Sequence, residues 1–195
     1  MPLSPFHYPF AYLLNRLDGR LSLPGLIVGS VFPDVETPIM FLLFRDQFSL
    51  NRLVLHSLLG GATIGAFLAA ASTALLYPRV MGLIEPSLRS RAREKCIFSE
   101  SLIVSCHLGV LSHDLLDVTN HPFNPIFWPL LGTLDTPSEF FFALDRIGNA
   151  STIVHVSLGA LLLGLLIKNR GGDILLKLFV GGASSEAFPG SPEPK

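Results

Sequence analysis

The chain has 195 residues, of which 49% are apolar and only 15% charged, and its formal net charge is −1. Soluble domains carry about 25% charged residues, and a chain this short has too much surface for so few charges to cover. With a mean hydropathy of +0.52, the missing water-facing surface is expected to face lipid. The composition argues against nucleic-acid binding, because no basic face with interleaved aromatic residues is present. Cys96 and Cys106 lack CxxC spacing and so indicate neither a disulfide framework nor a thiolate metal site.

The N-terminal stretch MPLSPFHYPF has no basic region followed by an apolar run and a cleavage site, and reads as mature protein rather than a signal peptide. Two short apolar stretches, Phe6 to Leu17 and Leu21 to Phe32, flank a polar turn at Asp18, Gly19 and Arg20. Each is only ~18 Å long as a helix, which predicts an antiparallel helical hairpin that partly or barely spans the membrane. Pro33 ends its second arm, Asp34 follows, and Thr37 to Phe44 forms a further short helix in the interface. An alternative is one Pro-interrupted span from Leu23 to Phe44, which would bury Asp34 near mid-membrane at a cost unless it faces a cavity.

Leu53 to Tyr77 contains no charge and is long enough to cross roughly 30 Å of hydrocarbon. Its small residues, Gly60, Gly61, Ala62, Gly65 and Ala69 to Ala71, permit close helix contact. Two more spans are expected from Ile97 to Asp117 and from Ser151 to Ile167. Between them, His121 to Pro137 is rich in proline and aromatic residues and cannot be helical throughout. Trp128 is expected there at headgroup depth. The fold class is therefore all-α, a polytopic membrane helical bundle with about four to six full or partial transmembrane helices. Residues 1–180 form one membrane-embedded domain, and 181–195 a disordered cytoplasmic tail low in apolar residues.

Basic residues orient the bundle. One side carries Arg16, Arg20, Arg79, Arg89, Arg91, Arg93, Lys95, Lys168, Arg170, Lys177 and Lys195; the other carries Arg45, Arg52 and Arg146. The positive-inside rule makes the first side cytoplasmic, including the Arg-rich loop 78–95. That loop reads as a topogenic element in contact with lipid headgroups. The expected location is the plasma or inner membrane, with membrane lipids as partners, no nucleic acid, and a homo-oligomer as an option.

On this topology six candidate ligands from separate segments gather at the extracytoplasmic end: His7, Asp34, His56, His113, Asp117 and His121. His113 and Asp117 are four apart and stack on one helix face. Pro122 disfavours helix at His121 and frees its ring to turn back. Imidazoles with carboxylates suit a divalent metal, zinc first, with iron or manganese as alternatives. Water on zinc approaches a pKa near 7, which suits ester hydrolysis. His107 reads as a core hydrogen-bonding histidine and His155 as an interfacial residue, Asp114 points elsewhere than its neighbour His113, and Arg52 is placed either to contact an anionic group or to snorkel at the interface.

Met1-Pro2 with His7, Gly29-Ser30-Val31-Phe32-Pro33-Asp34, His56-Ser57-Leu58-Leu59-Gly60, and Ser112-His113-Asp114-Leu115-Leu116-Asp117 with Thr119 and His121 form an ordered set of short motifs. Over about residues 1 to 130 this set resembles a family of predicted membrane-bound metal-dependent hydrolases and a similar archaeal and bacterial membrane family of unknown function. The HxxxD pair with a further histidine is also similar to part of the zinc site of zinc-dependent phospholipase C. The hydrolase pattern has His-Arg followed by Thr-His-Ser; here Asn51 and Leu55 stand in place of its first histidine and its threonine. The resemblance implies a metal-dependent hydrolase acting on an ester or phosphoester, plausibly lipid-derived. The other reading is a non-enzymatic membrane protein whose cluster is a structural metal clamp or proton relay.

Overall fold

A computed structural model describes residues 4–43, 52–131, 136–171 and 173–181. Four helices in it are long and apolar enough to cross a membrane: Leu23–Leu43, Leu58–Leu75, Glu100–Asn120 and Ala150–Lys168, here the first to fourth spans. Their outward faces carry large apolar side chains, among them Leu42, Phe67, Leu115, Val156 and Leu163, each more than half exposed. Such a surface is matched to lipid and would aggregate in water.

The first 43 residues combine the two arrangements the sequence left open. A helix at Tyr8–Leu17 turns at Asp18 and packs back on the first span, as the hairpin reading predicts. Its second arm does not end at Pro33. The backbone passes through a 3-10 turn at Pro33–Val35 and continues as helix from Glu36–Leu43. Proline is tolerated because it opens that turn, where its missing N–H leaves no partner wanting. Asp34 therefore lies roughly 16 Å along the span from Leu23 at 1.5 Å per residue, near its middle. A carboxylate inside an apolar span is costly, so it needs a polar partner.

The second span starts at Leu58 instead of Leu53. Glu36 accounts for the delay: its carboxylate accepts the backbone N–H groups of Leu53, Val54 and Leu55, which holds that stretch out of the helix. Ser57 then caps the span by accepting from the N–H of Gly60. The third span runs from Ser99, its N-cap, to Asn120, displaced by about one turn from the expected limits. The fourth matches within one residue at each end.

The segment expected as a loop at 78–95 is instead two short helices, Tyr77–Ile84 and Leu88–Lys95. Helix Glu139–Asp145 also went unanticipated. Residues 121–131 are irregular, as the prolines require, and Phe123–Asn124 pairs antiparallel with Thr136–Pro137. The tail beyond Gly181, Phe44, Arg45 and Asn51 lie outside the described residues.

The central contact joins the first and third spans. A Cβ on Gly109 would meet the carbonyl oxygen of Leu26 at 2.6 Å and the backbone nitrogen of Ser30 at 2.8 Å, so only glycine permits this approach. Gly29 faces the backbone of Cys106 in the same way. Small residues let membrane helices touch backbone to backbone. One turn beyond Gly109 on the same face stands His113, which the crossing brings against the carbonyl of Ser30.

Candidate metal centre

Six of the side chains singled out by sequence meet at the end of the second and third spans. His113 and Asp117 project from one face of the third span, Asp34 from the 3-10 turn of the first, and His56 from the non-helical stretch before the second. Their inward atoms form a closed N–O–N–O ring. His113 Nε2 stands 3.7 Å from Asp34 Oδ1 and 3.5 Å from Asp117 Oδ2. His56 Nε2 stands 3.9 Å and 3.8 Å from the same two oxygens. Ligand atoms around a tetrahedral cation bonded at 2.0–2.2 Å are about 3.3–3.6 Å apart. The ring is a few tenths of an ångström wider than that.

Both imidazoles are aimed by a second bond. His56 donates Nδ1–H to Glu36 Oε2 at 3.0 Å, and His113 donates Nδ1–H to the carbonyl of Ser30 at 2.9 Å. These bonds fix the tautomer that leaves each Nε2 lone pair facing the centre, as in carboxylate–histidine–metal arrangements. Neither Nε2 has a hydrogen-bond partner, although both are buried. Buried imidazole nitrogens are rarely left orphaned, and a cation would satisfy both. The donor set therefore fits a divalent metal.

His7 lies at the start of the first helix, stacked on His113 with ring centroids 4.1 Å apart. It is fully buried, and neither of its ring nitrogens has a hydrogen-bond partner. With His113 and Asp117 it makes a second group of close donor atoms. Burial, reinforced by His113, pushes His7 down to about 4, so its ring is neutral and able to donate a lone pair. For His56, burial works against the charge, but the facing Asp34 carboxylate and the hydrogen bond to Glu36 outweigh it and lift the group to about 9. Without a cation, a proton occupies that position.

His121 is set apart from the ring. Its Nε2 is 3.9 Å from the other oxygen of Asp117, Oδ1, and accepts from Arg52 at 2.7 Å. Burial, followed by the Arg52 charge, pushes it down to about 3. Arg52 spans to Asp117 Oδ2 at 2.8 Å and reaches Asn124 Oδ1 at 3.4 Å. It is thus in the cluster and does not snorkel away from it.

The centre has one open side. The side chains of His113, His56 and Asp117 are 0–4% exposed, while Arg52, Asp34 and His121 are 13%, 16% and 20% exposed. Access runs past these three.

Sequence reasoning missed Glu36 and the Ser30 carbonyl, the groups that aim the two histidines. Glu36 could have been suspected from its position two residues after Asp34 in a span that should hold no charge. Asp114 was set aside as pointing elsewhere than His113. It is nevertheless buried, without a hydrogen-bond partner, and borders an apolar cavity of about 510 Å³ with Leu58, Leu115, Ile126 and Phe127. His155 bonds within its own helix, to the Ser151 carbonyl.

The profile of the YdjM inner membrane protein family matches residues 8–185. The chain belongs to that family. Its membership, with the four apolar helices, makes it an integral membrane protein. No curated protein and no solved structure matches the chain.

Proposed function

We propose that the chain is a membrane-embedded metal-dependent hydrolase acting on an ester or phosphoester, plausibly of a lipid. The carrying observation is the ring of Asp34, His56, His113 and Asp117, with two orphaned Nε2 atoms and one open side. These four would hold the cation, zinc in the first instance and iron or manganese as alternatives, with His7 in reserve behind His113. When bound, the cation supplies Lewis acidity toward water and toward an ester or phosphoryl oxygen.

The residues on the open side set what approaches. Arg52 holds two donors near the centre and can exchange Asp117 for an anionic group of the substrate. His121, neutral and partly exposed, gains a free Nε2 when Arg52 turns away, and then serves as a proton acceptor beside the centre. Glu36 and the Ser30 carbonyl keep the imidazoles aligned throughout. The positive-inside rule places this centre on the extracytoplasmic side and the 78–95 segment in the cytoplasm.

A second reading has its own support. The three most buried ring members are nearly closed to water, and Arg52 already balances Asp117, as suits a structural clamp. Elemental analysis of the detergent-purified full chain tests both: about one divalent ion per chain is expected, and absence of metal overturns both. Turnover of a chromogenic phosphoester or a short-chain ester, lost on Asp34→Asn, supports the hydrolase. Metal without turnover of any ester class leaves the clamp.

A further inference from the structure

The far end of the second span carries a built site of opposite sign. Where that span ends, Ala74 and Leu75 meet the helices Tyr77–Ile84 and Leu88–Lys95 around a cavity of about 280 Å³, lined also by Pro78, Arg79, Arg89 and Arg93. No acidic side chain lines it. Among the described residues none of these three arginines is in an ion pair, whereas Arg20 is closed by Asp18, two residues before it, at 3.0 Å. Glu85, in the turn between the two helices, instead accepts the Ser87 N–H at 3.4 Å.

The arrangement works against itself without an anion. Arg89 and Arg93 are four apart on one short helix, so their like charges stack and destabilise it. The packing nevertheless holds them in place. A Cβ on Gly82 would meet the Arg89 stem at 2.9–3.0 Å, so the glycine lets the first helix lie against that stem. Leu88 and Ala92, each directly before one of these arginines, are buried against Met81 and Val180, which fixes the face that Arg89 and Arg93 present. Arg79 is anchored from the other side: its NH1 donates to the Leu75 carbonyl, leaving the rest of its fork free.

We propose that this cavity is a binding site for a phosphate group, supplied by the headgroup of an anionic membrane lipid or by free phosphate. Three guanidinium groups provide planar forks matched to phosphate oxygens. Ala74, Leu75 and Pro78 give it an apolar floor continuous with the lipid-facing side of the span, where Leu75 and Leu76 are more than half exposed. That floor suits the glycerol and first acyl carbons of a phospholipid. Arg91 on the same helix is outside the lining and serves as an internal control.

The test is native mass spectrometry of the full chain in detergent with added phosphatidylglycerol or phosphatidylcholine, with and without millimolar inorganic phosphate. Phosphatidylglycerol should be retained at least tenfold better than phosphatidylcholine. The R79Q/R89Q/R93Q variant should lose that preference at least tenfold, and R91Q should stay within twofold of the unaltered chain. Competition by inorganic phosphate, or phosphate binding in the absence of lipid, assigns the site to free phosphate; retention of lipid despite phosphate assigns it to the headgroup. Equal retention of the two lipids, or equal loss in R91Q, overturns the proposal. Should the triple variant misfold, the unaltered chain still decides: its Tm should rise with phosphatidylglycerol or phosphate and not with phosphatidylcholine, and no rise with either anion overturns the site.

Discussion

At one end of the second span, His56 joins two aspartates and a second histidine in a buried ring; at the other, Arg79, Arg89 and Arg93 surround an open cavity. The first set is aimed by hydrogen bonds to the Glu36 carboxylate and the Ser30 carbonyl and nearly sealed from solvent. The second is held by packing of its stems, with the charged ends exposed. A buried group must have its tautomer and direction specified, because an error leaves an orphaned polar atom at a cost of about 1–3 kcal/mol. An exposed guanidinium tolerates error, because water repairs it. The two ends therefore differ in how many supporting residues they recruit and in how sharply substitutions should act.

The largest expected contrast lies in the ring itself. His113→Ala or Asp117→Ala removes a donor atom no neighbour can replace, and metal content should fall below a hundredth of the unaltered chain while membrane insertion persists. R79Q/R89Q/R93Q should leave metal content unchanged within twofold. Elemental analysis of the three variants checks both. Metal retained in both His113→Ala and Asp117→Ala would remove the ligand assignment.

Glu36→Gln should come next. One oxygen of Glu36 accepts from Leu53, Leu55 and His56, and the other from Val54. An amide NH2 in either place faces a donor. Supporting residues of this kind typically change metal affinity by 10–100-fold, and the loss of charge-assisted bonds should destabilise the chain by about 1–3 kcal/mol. A competitive chelator titration and thermal unfolding together read the two effects; unchanged affinity would mean that His56 is held by something else.

Acidity should separate the two ends more gently. In the metal-free chain the His56 pKa is raised to about 9. Its protonated form therefore stabilises the fold fully below an ordinary histidine pKa of about 6.5, and that contribution is lost as pH rises through 9. Metal replaces the same proton, so affinity should rise about tenfold per pH unit between these limits and then level off. Phosphate binding at the arginine cavity should instead follow the ionisation of the phosphate. Chelator titrations at pH 6.5, 7.5 and 8.5 measure the slope, and a flat profile would show that no His56 proton is displaced.

Much of this contrast was legible in the chain. The four helices follow from uninterrupted apolar length, and the gathering of His7, Asp34, His56, His113, Asp117 and His121 follows from placing them on a charge-oriented topology. The path past Pro33 was legible only as one of two alternatives, because a proline favours a stop and a 3-10 turn can absorb it. Two things were not legible. The late start of the second span depends on Glu36, whose three backbone acceptances are tertiary. The arginine segment reads as a loop by charge, yet forms two helices because Leu88, Ala92 and Met81 find burial that a window of sequence does not reveal. Each of these two is a tertiary contact overriding a local signal.

The smallest effect gives the most controlled comparison, because the two ends offer a matched pair of helix caps. Ser57 accepts from Gly60 N–H at 3.1 Å and caps the second span at the ring; Ser99 accepts from Leu102 N–H at 3.3 Å and caps the third span at the opposite end. Loss of either hydroxyl should cost a similar amount, about 0.5–2 kcal/mol. Only Ser57 adjoins a candidate ligand: it also bonds the Val54 carbonyl at 2.8 Å, within the stretch that carries His56. Ser57→Ala should therefore weaken metal binding a few-fold, and Ser99→Ala should lower Tm equally with affinity intact. Equal loss of affinity in both would mean that the ring responds to overall stability, and that the sharp local specification inferred for this end is wrong.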